Sequence, residues 1–341
     1  MKKTFSLPRV LLLFALPALF GGLFSSCGEE SAESTLFAMD TAISLRITGK
    51  NAGEVMPLLE EELRRLDLLL DAEGDSLSSL RETGSLSDPE IAGLLAESLR
   101  ISGETGGAFD VTVEPAVEAW GFRSGNTRVP SDEELLSLLE KTGYESVRID
   151  GDEIALPAGY SVTFGAVAKG YAGDRLRAIA EENGIGSGVL SLGGNVALLG
   201  KKDEKAGKGW SVAVRAPEGG YALTLELSDT NAVTSGSYER YFEKDGVRYH
   251  HILDPATLKP AETGLVSATV VSRNGLLADA LSTALFVMGP EGAADYWRSF
   301  GEAQKFEILL LTEDHRILAS KGLVPLITGV EEPYGELVVI E

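Results

Sequence analysis

The sequence predicts an α+β protein with one core region, either continuous or divided into two lobes. Three observations point there. At 341 residues the chain has ample material for a core, enough for one large domain or two modest ones. Apolar residues recur at helical spacing, most clearly Leu58, Leu59, Leu63, Leu66 and Leu70 set among charges. Apolar extended runs, among them 36–47, 188–199, 210–214, 222–227 and 265–272, supply strands.

The chain opens with Lys2, Lys3 and Arg9, followed by an uncharged apolar run from Val10 to Phe24 and then Ser25-Ser26-Cys27. The run is short and ends in small residues, which reads as a secretory signal over 1–26 rather than a membrane span. Cys27 is the only cysteine, so an intrachain disulfide and a cysteine-built metal site are excluded. It stands where a bacterial lipoprotein signal is cut and the thiol lipidated. The expected organisation is therefore a signal peptide over 1–26, lipidated Cys27 with a polar tether over 27–35, and a single functional domain over 36–335. That places the chain on the bacterial inner membrane, facing the periplasm. The formal charge is −22, and removal of residues 1–26 takes away three basic residues and no acidic ones. So acidic a surface repels phosphate backbones, which excludes nucleic acid as a partner; a polyanionic ligand must be held locally, by a divalent cation or by helix ends.

In chain order, the extended run 36–47 contains Met39-Asp40-Thr41, and a helix follows over 52–70. Residues 71–79, including Asp71, read as a polar loop. Ser87-Asp88-Pro89 announces a helix to about residue 102 through a cap followed by proline in the first turn. Gly106-Gly107-Ala108-Phe109-Asp110-Val111-Thr112 is a loop that can hold an aromatic ring and a ribose or amide edge, or equally core aromatics beside a turn. Ser131 and Glu134 form a capping box opening a helix to Thr142. Short strands over 146–149 and 153–156 lead into the stretch on which the chain is organised, Thr163-Phe164-Gly165-Ala166-Val167-Ala168-Lys169-Gly170. Preceded by a β-like run at 160–162, it enters a helix that ends at Asn183-Gly184. A strand running into a glycine-rich helix start presents free N–H groups and the positive end of the helix dipole to a phosphate, and Lys169 adds a full charge one turn inside. Ordinary helix packing with glycines as punctuation is the competing reading.

Downstream, Gly193-Gly194-Asn195 interrupts the run 188–199, the mark of a bulge or a close backbone approach. Thr234-Ser235-Gly236-Ser237 reads as a small-residue turn. Two of the three histidines lie in Tyr249-His250-His251-Ile252-Leu253-Asp254-Pro255. Adjacent strand residues point to opposite faces, so at most one histidine enters a given site, as a general base rather than a zinc ligand. His315 reads as a surface residue of a C-terminal hairpin. Asn274 caps a helix over 275–287, whose apolar face is broken by Asp279 and Thr283, four residues apart and so on one face. Buried among leucines and alanines, these oxygens need partners, either Mg²⁺, which takes hard oxygen donors, or a cap or internal hydrogen bond.

Together these residues resemble the FAD:protein FMN transferases, the ApbE-type flavin-transferring lipoproteins. The similarity rests on seven motifs in the family's order from Met39 to about Pro290: Met39-x-Thr41, Ala108-Phe109-Asp110 to Trp120-Gly121-Phe122, Ala168-Lys169-Gly170-Tyr171-Ala172, Gly193-Gly194-Asn195, Thr234-Ser235-Gly236, His251-Ile252-Leu253-Asp254-Pro255 and Ala278-Asp279-Ala280-x-x-Thr283. The resemblance implies a single large domain with mixed or antiparallel sheets and flanking helices. It implies Mg²⁺ on the carbonyl of Ala166 and the side chains of Asp279 and Thr283. It also implies contacts to FAD, the substrate, from Met39, Ala108, Phe109, Asp110, Thr163, Lys169 and Leu253, with Asp71 at the flavin's edge. FMN would pass from FAD to a threonine hydroxyl of an acceptor protein, such as a redox-pump subunit, releasing AMP. His251 would accept the threonine proton, or Asp279 or bound hydroxide would do so while His251 orients the ligand. Two departures stand out. Thr163 replaces the family's usual aspartate, and Leu69-Leu70-Asp71-Ala72-Glu73 replaces a segment carrying an aromatic, so FAD binding is expected to be looser and hydrolysis to FMN and AMP a larger share. A metal-dependent FAD pyrophosphatase and a non-catalytic flavin-binding lipoprotein are the rival readings.

Overall fold

The computed structural model describes residues 30–341; the expected signal peptide over 1–26 and lipidation of Cys27 lie outside them. A nine-stranded sheet forms the frame and takes its strands in chain order: Glu30–Ala38, Thr41–Gly49, Ser187–Leu192, Asn195–Leu199, Asn231–Gly236, Leu265–Ser272, Phe306–Thr312, Arg316–Ser320 and Glu336–Ile340. Neighbours pair antiparallel except the last two, which run parallel, so the sheet is mixed. Its central strands are apolar on both faces because both are covered. Val270, Ile308 and Leu310 pack with Leu277, Leu281 and Leu285 of the helix Gly275–Gln304. Their neighbours Val271, Leu309 and Leu311 pack on the other side with Leu223, Leu225 and Leu227 of a three-stranded sheet, Ile327–Val330, Tyr221–Leu227 and Trp210–Arg215. The helix Ala52–Leu70 lays Leu59, Leu63 and Leu66 against Ile43, Leu45 and Ile47, with Leu176 and Ala180 of the helix Ala168–Glu182 closing the same cluster.

Several local expectations change. Residues 31–35, read as tether, belong to the first strand, paired with 44–48. A helix, Asp75–Thr83, begins within the polar stretch 71–79, buries Leu77 and Leu80 and ends on Gly84 in the left-handed region; two apolar residues give too weak a pattern to read. Residues 160–162 form no strand. Gly193-Gly194 is not a bulge but the turn of a hairpin, with Gly193 at φ 68°. Thr234-Ser235-Gly236 lie within a strand, because Thr234 and Ser235 pair with Thr269 and Ala268. The 275–287 helix runs on to Gln304 through a break at Gly289, where Pro290 ends the first segment's hydrogen bonding.

Candidate functional site

Two helices meet at a point where side chains are excluded. A Cβ on Gly170 would stand 2.2 Å from the carbonyl oxygen of Gly275 and 2.7 Å from Asp279 Cβ, and one on Gly275 would stand 2.6 Å from the carbonyl oxygen of Gly170. Asp174 fastens the crossing by accepting from the amides of Gly275 (2.9 Å) and Leu276 (3.0 Å), while Asn274 accepts from Leu277 at 2.9 Å. The helix Gly275–Gln304 thus starts against the helix Ala168–Glu182, and Asp279, one turn in, reaches its partner's first turn.

There the amide of Gly170 donates to Asp279 Oδ2 at 2.8 Å instead of returning four residues to Ala166. No backbone N–H among the described residues turns to the Ala166 carbonyl. Burial raises the pKa of Asp279, opposed by Lys169, the Gly170 amide and the Asn195 side chain. Thr283 lies 3.2 Å from Ser235 Oγ, itself 2.8 Å from Ser282 Oγ. Ala166, Lys169, Asp279 and Thr283 line a cavity of about 1140 Å³, together with Asn195, Glu239 and Ser235. Hard oxygens on a buried carboxylate, a half-buried hydroxyl and a freed carbonyl are a donor set that suits Mg²⁺.

The same cavity reaches the other positions singled out in the sequence: Met39, Asp71, Ala108, Phe109, Asp110, Thr163, His251 and Leu253. Met39 and Asp40 form a two-residue hairpin loop with φ 51° and 57°, a left-handed turn that prefers Asn-Gly and costs a residue with Cβ roughly 1–2 kcal/mol. It is held by Asp67, which accepts from the Met39 amide at 2.6 Å, and by Arg240, whose Nη2 lies 3.4 Å from the Asp40 carbonyl. Phe109 is in the core. The Asp110 carboxylate is spent on structure: Oδ1 accepts from the Thr112 amide and hydroxyl and Oδ2 from the Tyr144 amide. Burial still leaves its pKa raised. Asp110 therefore shapes the loop on which Ala108 and Phe109 sit. Thr163 lies beside buried Glu114, whose pKa burial raises against the pull of Arg123. Arg123 also feels Glu73 and Asp71, so this corner of the cavity is charged.

The adjacent histidines part. His250 is buried, its ring edge-on to Phe286 and its Nε2 3.1 Å from the Ala261 carbonyl. His251 keeps partial access to the cavity. Its Nδ1 lies 3.2 Å from the Arg240 carbonyl, which can only accept, so Nδ1 carries the proton and Nε2 the lone pair. Although the ring is not fully covered, burial and the Arg240 and Lys169 cations push its pKa well down, which keeps it neutral. His315 stays at the surface, 3.2 Å from Glu218.

Sequence reading missed Asp67, Arg123 and Glu239 as cavity residues, and Glu114 as the buried partner of Arg123 behind them. The two-residue loop Met39-Asp40, lacking the residues such turns prefer, was the one available signal for Asp67. Among the described residues no cluster of three histidine, cysteine or acidic side chains is placed to hold a metal, in keeping with a site built partly from a hydroxyl and a main-chain carbonyl.

Comparison with known proteins agrees with this architecture. The model of the ApbE family matches residues 39–309. A Treponema pallidum FAD:protein FMN transferase is 33% identical over 331 residues, covering 88% of this chain and 90% of its own. The Escherichia coli K12 protein of the same name is 34% identical over 274 residues, covering 75% and 77%. The crystal structure of an ApbE protein from Thermotoga maritima superposes with a TM-score of 0.82 at 31% identity, covering 88% of this chain and all of that one. On sequence and fold alike, the chain belongs to the ApbE family.

Proposed function

We propose that this chain is a Mg²⁺-dependent FAD:protein FMN transferase whose acceptor group is a threonine hydroxyl. The observation that carries the proposal is the freed Ala166 carbonyl converging with Asp279, Thr283 and Lys169 in one cavity of an otherwise acidic molecule. Ala166, Asp279 and Thr283 would hold the cation, which when bound supplies positive charge to the pyrophosphate. Lys169 adds its own charge beside the same phosphates, whereas the first-turn amides of Ala168 and Gly170, expected from the sequence to face phosphate, are spent on the Phe164 carbonyl and on Asp279. The hydroxyl oxygen attacks the FMN phosphorus, the bond from that phosphorus to the bridging oxygen breaks, and AMP departs with that oxygen. The hydroxyl proton passes to Nε2 of neutral His251, whose opposite nitrogen is held by the Arg240 carbonyl. Water in place of the hydroxyl gives FMN and AMP.

His251→Asn is expected to slow transfer by roughly 10²- to 10⁴-fold, the usual worth of a general base, while FAD binding followed by flavin fluorescence changes little. An unimpaired variant would move the base to Asp279. Because Asp71 faces a charged corner, Asp71→Tyr is expected to tighten FAD binding about fivefold, equivalent to roughly 1 kcal/mol of stacking, and to lower the share of hydrolysis. Unchanged affinity and hydrolysis would show that Asp71 does not occupy the stacking position.

We place the mature chain on the periplasmic side of the inner membrane, anchored by lipid on Cys27; among the described residues no helix is long and apolar enough to cross a membrane. Its acceptor we take to be a redox-pump-type subunit. The test is to incubate the mature chain with FAD and Mg²⁺, with and without such a subunit. Attached flavin by mass spectrometry, with matching AMP release, is the expected result. FMN and AMP without attachment would make it a pyrophosphatase, and intact FAD a binding protein.

A further inference from the structure

Asn195 lines the cavity yet has no part in the roles assigned above. It opens the strand Asn195–Leu199 directly after the Gly193-Gly194 turn, paired with Leu192 on one side and Val233 on the other. Its main chain is fixed by the sheet from both directions, so the side chain cannot be carried elsewhere without unpicking the hairpin. The turn itself is tight: a Cβ on Gly194 would stand 2.9 Å from both Glu239 Oε1 and the Thr234 carbonyl oxygen.

Asn195 is 4% exposed, and its side-chain Nδ2 has no hydrogen-bond partner. The amide is close enough to Asp279 to lower the carboxyl pKa, yet Nδ2 makes no full hydrogen bond to it. Folding seldom leaves a buried donor unpaired, because it gives up water and receives nothing in return. Here the unpaired donor belongs to a residue that lines the substrate cavity beside Asp279, where an incoming anion would bring acceptor oxygens.

We propose that Asn195 is a catalytic residue whose Nδ2 donates to a non-bridging oxygen of the phosphoryl group being transferred. The assignment rests on the functional reading above. As the hydroxyl oxygen adds and the bond to AMP breaks, charge on the non-bridging oxygens is met by a donor already in place, with no water to reorganise.

Asn195→Ala and the isosteric Asn195→Asp test this through melting temperature with and without FAD and Mg²⁺, and through kcat and KM for AMP release. For Asn195→Ala the melting temperature without ligand should be unchanged or higher, since an unpaired buried donor has been removed. The FAD-dependent rise in melting temperature should shrink and KM rise with it, and kcat should fall roughly 10²-fold, because the donor meets the phosphoryl oxygen in the bound substrate and more strongly in the transition state. Asn195→Asp, which replaces the donor by an anion, should fall further. An Asn195→Ala variant with kcat within about threefold of wild type, or one that melts earlier without ligand while keeping the full FAD-dependent rise, would overturn the assignment alone. A wild-type chain that neither gains stability from FAD nor releases AMP would overturn the functional reading and this assignment with it.

Discussion

Gly170→Ala is expected to abolish most activity and to destabilise the fold. The added methyl group meets the main-chain oxygen of Gly275 at 2.2 Å and Asp279 Cβ at 2.7 Å, so no side-chain rotation relieves it. The two helices must separate, which costs about 1–3 kcal/mol or more when rigid groups are overpacked. The same shift moves Asp279 away from the amide of Gly170 and from the Ala166 carbonyl, and misplacement of a positioning group by about 1 Å costs on the order of 10²-fold in rate. Thermal melting and AMP release measure the two effects. A Gly170→Ala variant with wild-type values in both would mean that the helices do not approach as described. Gly173, three residues along, is a matched control, since its Cβ would sit at an ordinary 3.4 Å from the Ala197 side chain.

Asp279→Asn should have the largest effect on chemistry and an opposite one on stability. Size and one acceptor oxygen are kept while the charge is lost, and activity is expected to fall at least about 10²- to 10³-fold, the range for removing a preorganised electrostatic group. Chelation of divalent ions should bring wild type to the same level and leave the variant almost unaffected. The stability argument follows from the direction of the pKa shift. Burial raises the Asp279 pKa in the folded chain. The folded state therefore binds the proton more tightly than the unfolded state, and the favourable contribution is full below the ordinary carboxyl pKa and lost as pH rises through the folded value. At neutral pH without metal the buried charge is a cost that asparagine removes, so the variant should melt higher than wild type. A lower melting temperature at neutral pH would show that the contacts to Gly170, Lys169 and Asn195 more than offset burial.

The two expectations share one cause. The site is assembled by a helix crossing that folding tolerates only with glycine at both contact points, around a carboxylate whose charge burial disfavours. Local cost at such a place is what a binding or catalytic site looks like when its ligand is absent.

Much of this was legible in the sequence because it depends on spacing along one element. The helix Ala52–Leu70 announced itself by its leucine stripe, and Asp279 and Thr283 share a helical face because they are four residues apart. Asp88 and Ser131 mark helix starts, where each accepts from the first-turn amides. What the sequence left open depends on which distant segments meet. Asp67 holds a turn 28 residues before it, Arg240 reaches Asp40 across 200 residues, and Gly170 fits against Gly275 because two backbones cross there. None of these pairs has a periodic signature. The sequence by itself determined the amphipathic elements, the acidic surface and the residue types suited to phosphate and metal, since these follow from local chemistry. Only the tertiary structure decided that the Gly170 amide turns to Asp279 and so frees the Ala166 carbonyl, because that exchange exists only once two helices, over a hundred residues apart at their contact, pack at backbone distance.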